Sequence, residues 1–121
     1  YPYADHPDVL VLLTQAAAGR HAAGAHPGAV VIADPAEVGT LPEGAIAVPI
    51  AALARTHTGK PLAAGIVAAG CAAAATRGAI GLEALERGIA EQLPAALVAA
   101  NVAACRAGHA ATLELLQERV T

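Results

Sequence analysis

Two short apolar runs decide the fold of this chain: residues 9–13 read VLVLL, and residues 29–33 read AVVIA. Each run is continuous rather than alternating, as expected of strands in a parallel sheet that is covered on both faces. The alanine-rich stretch between them, residues 15–25, favours a helix with Thr14 as its N-cap. A strand, helix, strand order of this length predicts two parallel strands joined by a right-handed crossover.

The rest of the chain adds one more strand and then turns helical. Residues 45–48 (AIAV) predict a third strand, which Pro49 ends. Four helices are predicted after it, over residues 50–55, 62–75, 82–93 and 94–120. We therefore expect an α/β domain with a mainly parallel sheet and a helical C-terminal half. Three strands are few for such a sheet, so we expect a partial domain whose other strands lie upstream of Tyr1.

Several small residues inside the predicted helices indicate close packing. Gly65 and Gly70 lie in the second helix and Gly108 in the last, and each costs about 1 kcal/mol relative to alanine. Glycines at such a cost are typical of helix faces that another helix or subunit approaches closely. Cys71 and Cys105 lie in the same alanine-rich segments without metal-site spacing, so we expect both to be small buried hydrophobes.

Composition limits the class of protein. The 121 residues suit one domain spanning 1–121, with 56% hydrophobic and only 14% charged residues, which predicts that part of the surface meets another subunit. The net charge is −3 and the basic residues are scattered, which argues against nucleic acid as a partner. The longest apolar stretch, residues 61–76, is too short and too rich in Ala and Gly for a membrane span. Without a secretion signal, and with thiols expected to be reduced, we predict a cytoplasmic protein.

Candidate site residues are few. Thr14, Gln15 and Asp34 follow the first two strands, at the sheet edge where open α/β sheets place ligands, although capping and turn formation would explain them too. Thr56 and His57 begin a polar loop, residues 56–60, that offers hydroxyls, an imidazole and a cation to an anion or a partner. The chain has no serine, no GxGxxG segment and no pair of histidines at metal-ligand spacing. We predict no catalytic residue and no metal site.

A family resemblance runs through most of these segments. Taken in order, residues 8–15, 28–34, 42–51, 80–85 and 101–108 resemble the second half of the γ domain of 2-oxoacid:ferredoxin oxidoreductases. The sequence differs from that family in two respects. It lacks the GxGGQG segment that usually follows the family's first strand, and Gly65 stands where an Asn is common.

The resemblance implies a Rossmann-like three-layer fold and a place in an enzyme complex. Such enzymes decarboxylate a 2-oxoacid such as pyruvate oxidatively to an acyl-CoA, using thiamine diphosphate, iron–sulfur clusters and coenzyme A, and pass electrons to ferredoxin. The resemblance also implies that other subunits bind these cofactors, that those subunits are the partners of this chain, and that its own role is structural.

Two other interpretations of the sequence stay open. One is a stand-alone α/β domain that binds a small anion near Thr14, Gln15 and the loop over residues 56–60. The other is an isolated scaffold without activity of its own. The sequence does not identify the 2-oxoacid, the electron acceptor or the stoichiometry.

Overall fold

The computed structural model describes residues 9–15, 29–60 and 63–120. Within these ranges the sheet has three parallel strands, β1 (Val9–Leu12), β2 (Val30–Ala33) and β3 (Ile46–Ala47), which lie side by side in that order. Four helices follow: α1 (Ile50–Thr58), α2 (Ala64–Ala75), α3 (Leu82–Gln92) and α4 (Ala95–Val120). The predicted α/β architecture with a helical C-terminal half is confirmed.

The strand register agrees with a parallel crossover. Val9 lies opposite Val30, and Ile32 lies opposite Ile46. The helix predicted over residues 15–25 falls outside the described residues except for Gln15. The third strand is shorter than predicted, since only Ile46 and Ala47 pair with β2.

The main core lies between one face of the sheet and the helices. Ile32 and Ile46 are buried on this face, and they pack with Ile50 at the start of α1, Val67 in α2 and Ala104 in α4. A smaller cluster of Leu12, Ala33 and Val38 lies apart from it. Neighbouring strand residues such as Ile32 and Ala33 join different clusters because successive side chains of a strand point to opposite faces.

Helices α2 and α4 pack against each other at glycine contacts. A Cβ added to Gly108 would lie 2.8 Å from Cγ1 of Val67. Gly70 meets α4 in the same manner, so the prediction of close packing is confirmed for these two glycines. Gly65 makes no such contact within the described chain: it is exposed on the outer side of the first turn of α2, with nothing within 4 Å of an added Cβ, so approach by a subunit at Gly65 stays a prediction.

The first helix is longer than its sequence pattern predicts. Thr56 and His57 lie within α1, so the polar loop expected over residues 56–60 begins only at Gly59. The Thr58 hydroxyl donates to the Ala54 carbonyl at 2.7 Å, which keeps this polar residue in the last turn. Gly59 then ends the helix with φ +74°, a left-handed conformation in which its N–H donates to the Arg55 carbonyl at 2.9 Å.

The last two helices pack together at the surface. Along α3 the predicted apolar stripe of Leu82, Leu85 and Ile89 is only partly buried, and no residue of this helix is fully buried. An ion pair joins α3 to α4, with Nη2 of Arg106 donating to Oε2 of Glu86 at 3.0 Å. In the described part of the chain, no helix is both long and apolar enough to cross a membrane.

Candidate functional site

Asp34 is the most constrained of the candidate residues. It follows β2 directly and is 1% exposed. Its Oδ1 accepts a hydrogen bond from the Ala36 N–H at 2.9 Å, and its Oδ2 accepts one from the Ala51 N–H at 2.7 Å. Both carboxylate oxygens are thus occupied by backbone donors.

The bond to Ala51 makes Asp34 a cap for a distant helix. Pro49 precedes α1 and provides no side-chain cap of its own. The first N–H groups of a helix lack partners within the helix and carry partial positive charge, so a carboxylate placed there is stabilising. Asp34 therefore joins the C-terminal end of β2 to the start of α1, and this contact supports the structural explanation for the residue.

Gln15 also has a structural partner. Its Oε1 accepts a hydrogen bond from the Thr40 N–H at 3.1 Å, which ties the end of β1 to the loop that follows β2. Thr14 is exposed beside it. The sequence predicted a ligand at this sheet edge. The structure instead shows the Gln15 and Asp34 side chains bonded there to the backbone N–H groups of Thr40 and Ala51.

A small cavity opens at this edge of the sheet. Its volume is about 200 Å³, and Asp34 lines it together with Arg55 and Glu37. Sequence reasoning missed the last two residues. Arg55 lies one helical turn after Ala51, so the predicted helix over residues 50–55 contained the signal that could have placed it beside the cap.

The other candidates do not join this cavity. Thr56 is exposed on α1 and His57 is half-buried, and neither is among the described residues that line it. Thr58 and Lys60 line a different cavity of about 230 Å³, beside Asn101 of α4. The structure therefore separates the loop candidates from Asp34 instead of assembling one site.

The two thiols have the chemistry of core residues. Cys71 and Cys105 are fully buried and unpaired, which confirms the prediction made for them. Burial raises the pKa of Cys71, the nearby Thr112 hydroxyl lowers it and the neighbouring Cys105 raises it, with a net rise. Burial also raises the pKa of Cys105, followed by the charge of Glu86. Thiols that resist ionisation are poor nucleophiles and poor metal ligands.

Metal and cluster binding find no support in the described ranges. No group of three or more His, Cys, Asp or Glu side chains there is arranged to hold a metal ion. Iron–sulfur clusters are usually held by four cysteine thiolates, and the whole sequence has two. The residues of this chain therefore do not fit an iron–sulfur cluster.

The sequence and the fold are similar to those of known proteins. A family model of pyruvate ferredoxin/flavodoxin oxidoreductase matches residues 1–111. The crystal structure of the keto/oxoacid ferredoxin oxidoreductase gamma subunit from Geobacter sulfurreducens PCA is 33% identical in sequence and superposes with a TM-score of 0.80. The match covers 88% of this chain and 64% of that one, so this chain spans less than two thirds of that subunit. No curated protein matches the sequence.

Parallel strands in the order β1-β2-β3, backed by a helical C-terminal half, define an α/β domain of the type seen in that gamma subunit. The chain belongs to the pyruvate ferredoxin/flavodoxin oxidoreductase family. This result confirms the resemblance found in the sequence.

Proposed function

We propose that this chain is a γ component of a 2-oxoacid:ferredoxin oxidoreductase. In this proposal the complex decarboxylates a 2-oxoacid such as pyruvate oxidatively, forms an acyl-CoA and transfers electrons to ferredoxin. The observation that carries the proposal is the 33% identity to a gamma subunit over 88% of this chain, together with the family match over residues 1–111.

The role we assign to the chain within that complex is structural and not catalytic. Each oxygen of the buried Asp34 carboxylate accepts a hydrogen bond from a backbone N–H, which is the arrangement of a helix cap. The thiols of Cys71 and Cys105 are buried and have raised pKa values. Thiamine diphosphate, iron–sulfur clusters and coenzyme A are therefore assigned to other parts of the complex.

Surface composition supports a partner. Only 14% of the residues are charged, and Ile80 and Leu113 are large apolar residues about 40% exposed. Other subunits of the oxidoreductase are the partners we propose, with ferredoxin reached through the complex. The free cysteines fit the reducing cytoplasm, which is the location we propose.

A stand-alone ligand-binding domain is less well supported by this geometry. That alternative needs Thr14 and Gln15 to meet the segment over residues 56–60 around one anion. Gln15 is engaged with Thr40, while Thr58 and Lys60 line a cavity on another part of the surface.

Native mass spectrometry of the protein purified anaerobically from its source tests the proposal. We expect the chain in one assembly with subunits that carry thiamine diphosphate, iron and acid-labile sulfide. The same preparation should reduce a viologen dye only when a 2-oxoacid and coenzyme A are both present. A chain that purifies without partners, from a source whose oxidoreductase assembles without it, would contradict the proposal.

A further inference from the structure

A groove of about 500 Å³ lies on the surface between the C-terminal ends of α2 and α4 and the start of β2. It is larger than the Asp34 cavity and than the cavity beside Asn101. Its floor is apolar and includes Val30, Ala74, Leu113 and Leu116. None of these residues belongs to the Asp34 cavity, so the groove is a separate feature.

The floor leaves apolar area in water. Leu113 is 39% exposed although it lies on a long helix, and Val30 and Leu116 are only partly buried. Removing apolar surface from water contributes favourably to binding. An apolar side chain seated between Leu113 and Leu116 would gain this contribution.

The rim of the groove is positively charged. Arg77, just past α2, and Arg119, in the last turn of α4, both line it, and the described lining contains no acidic residue. This local charge is opposite to that of the whole chain, whose formal net charge is −3. Glu114 and Glu118 belong to the same stretch of α4 but are not among the described residues that line the groove.

The side chain of Arg119 and the backbone of Arg77 are each held by a hydrogen bond. Nη2 of Arg119 donates to the carbonyl of Gly44, in the turn before β3. Arg77 has φ +55°, a left-handed conformation that is uncommon for a residue with a Cβ. Its N–H donates to the Ala74 carbonyl at 3.3 Å, so it closes α2. A cation at a helix C-terminus interacts favourably with the helix dipole, which explains the position of each arginine at the end of its helix. It does not explain the apolar floor between the two arginines.

We propose that this groove binds a segment of another subunit of the same complex, one that carries carboxylates beside an apolar side chain of Val or Leu size. Charge complementarity selects the segment, since two arginines flank the floor and the described lining residues include no acid. The inference rests on the proposed function, because it needs the chain to work inside an assembly. Two cations around a concave apolar floor suit a peptide better than a nucleic acid, whose binding depends on neutralising a row of phosphates.

The test compares variants within the assembled complex, purified with its natural subunits. Arg77→Gly removes the cation and also suits the left-handed backbone, so this variant should fold at least as well as the unmodified chain. Arg87→Ala is its control, because Arg87 is an exposed cation on α3 away from the groove. Leu113→Ser tests the floor, and Leu97→Ser is its control, since Leu97 lies on the same helix with a matching 40% exposure.

Dissociation of the chain from the complex is measured by native mass spectrometry over a range of ammonium acetate concentrations. We expect Arg77→Gly and Leu113→Ser each to weaken association by about tenfold, and Arg77→Lys to retain most of it. The loss in Arg77→Gly should shrink at high salt, where charge attraction is screened. Both control variants should stay within about twofold of the unmodified chain.

Four results would overturn the inference, and the last of them would also overturn the proposed function. Undiminished association in both Arg77→Gly and Leu113→Ser would show that no partner segment uses the groove, while the proposed function would stand. Equal losses in the groove variants and their controls would show a general surface effect. A small molecule bound to the unmodified chain and lost in Arg77→Gly, with assembly unchanged, would identify a ligand pocket instead. An unmodified chain that joins no oxidoreductase subunits would contradict the proposed function and the inference together.

Discussion

Gly70 of α2 lies directly against the backbone of Cys105 in α4: a Cβ added to Gly70 would be 2.9 Å from the carbonyl carbon of Cys105 and closer still to its oxygen. Real Cβ atoms essentially never approach backbone so closely, and backbone cannot rotate away as a flexible side chain can. The absence of a side chain at this position therefore sets the distance between the two helices that make the most extensive contact in the described fold.

Replacing Gly70 with alanine should destabilise the protein. The added methyl group forces α2 and α4 apart, and overpacking of this kind typically costs about 1–3 kcal/mol, with larger values where backbone must move. Gly65→Ala is the matched control on the same helix, and it should stabilise by about 0.4–1 kcal/mol because nothing lies near the new methyl group. Urea denaturation of the three proteins measures both effects. Equal stability of the two variants would argue against the close helix contact.

Asp34→Ala should lower stability through the helix that Asp34 caps. The substitution leaves the N–H groups of Ala36 and Ala51 without their acceptor, and the bond to Ala51 is buried. We expect a loss of about 2–4 kcal/mol in the free energy of unfolding. Glu37→Ala, an exposed acid in the next turn, should change it by less than about 0.5 kcal/mol. Hydrogen exchange at the Ala51 amide should accelerate in Asp34→Ala alone. Unchanged exchange there would show that the cap contributes nothing.

Both thiols should resist labelling in the folded protein. Cys71 and Cys105 are 0% exposed, and burial raises the pKa of each, so the reactive thiolate is scarce as well as inaccessible. At pH 8 we expect a disulfide reagent such as DTNB to modify both at least about a hundredfold more slowly than a free thiol, by way of transient opening. In denaturant, DTNB should modify both thiols immediately. Rapid modification in native buffer would contradict the burial of the α2–α4 contact.

The pair of Glu86 and Arg106 predicts a small pH dependence of stability. The hydrogen bond from Arg106 lowers the pKa of Glu86 below its ordinary value of 4.5, with the charge of Arg106 acting in the same direction. A carboxyl whose pKa is lower in the folded state stabilises the protein at pH values above 4.5. That contribution is lost as the pH falls through the folded-state pKa.

Glu86→Gln and Arg106→Gln give two measurements of this pair. The difference in unfolding free energy between the unmodified chain and Glu86→Gln should be largest near neutral pH and should vanish in acid. In Arg106→Gln, the pKa of Glu86 measured by NMR titration should return toward 4.5. A Glu86 pKa that does not respond to loss of Arg106 would show that the pair does not form in solution.

Local patterns in the sequence accounted for most of the fold. Continuous apolar runs predicted β1 and β2, and their order predicted the parallel pairing of Val9 with Val30. Because glycine is unfavourable inside a helix, Gly70 and Gly108 could be identified as contact points, but Gly65, identified in the same way, contacts no other helix in the described part of the chain. The free-energy cost of a glycine inside a helix does not reveal which side of the helix meets a neighbour. Gly65 lies on the outer side.

The candidate site was harder to predict because its partners are distant in sequence. Asp34 was recognised from its place at the end of a strand, but the N–H group of Ala51 that occupies its carboxylate lies seventeen residues further on. Gln15 was recognised in the same way, and its partner Thr40 is twenty-five residues away. Propensities describe neighbours along the chain, so they do not identify donors that a crossover brings to the same sheet edge.

Helix α4 is long and is held at three points along its length. With 26 residues this helix is about 39 Å long. Arg106 joins it to α3, Gly108 seats it against α2, and Arg119 ties its end to the turn before β3 at Gly44. A partner bound in the groove would contact one end of this stiff helix. A displacement of that end would be transmitted along α4 to α3 through Arg106. Because Ala104 of α4 belongs to the main core, subunit docking at the groove, the contact between α2 and α4 and the position of α3 would be coupled.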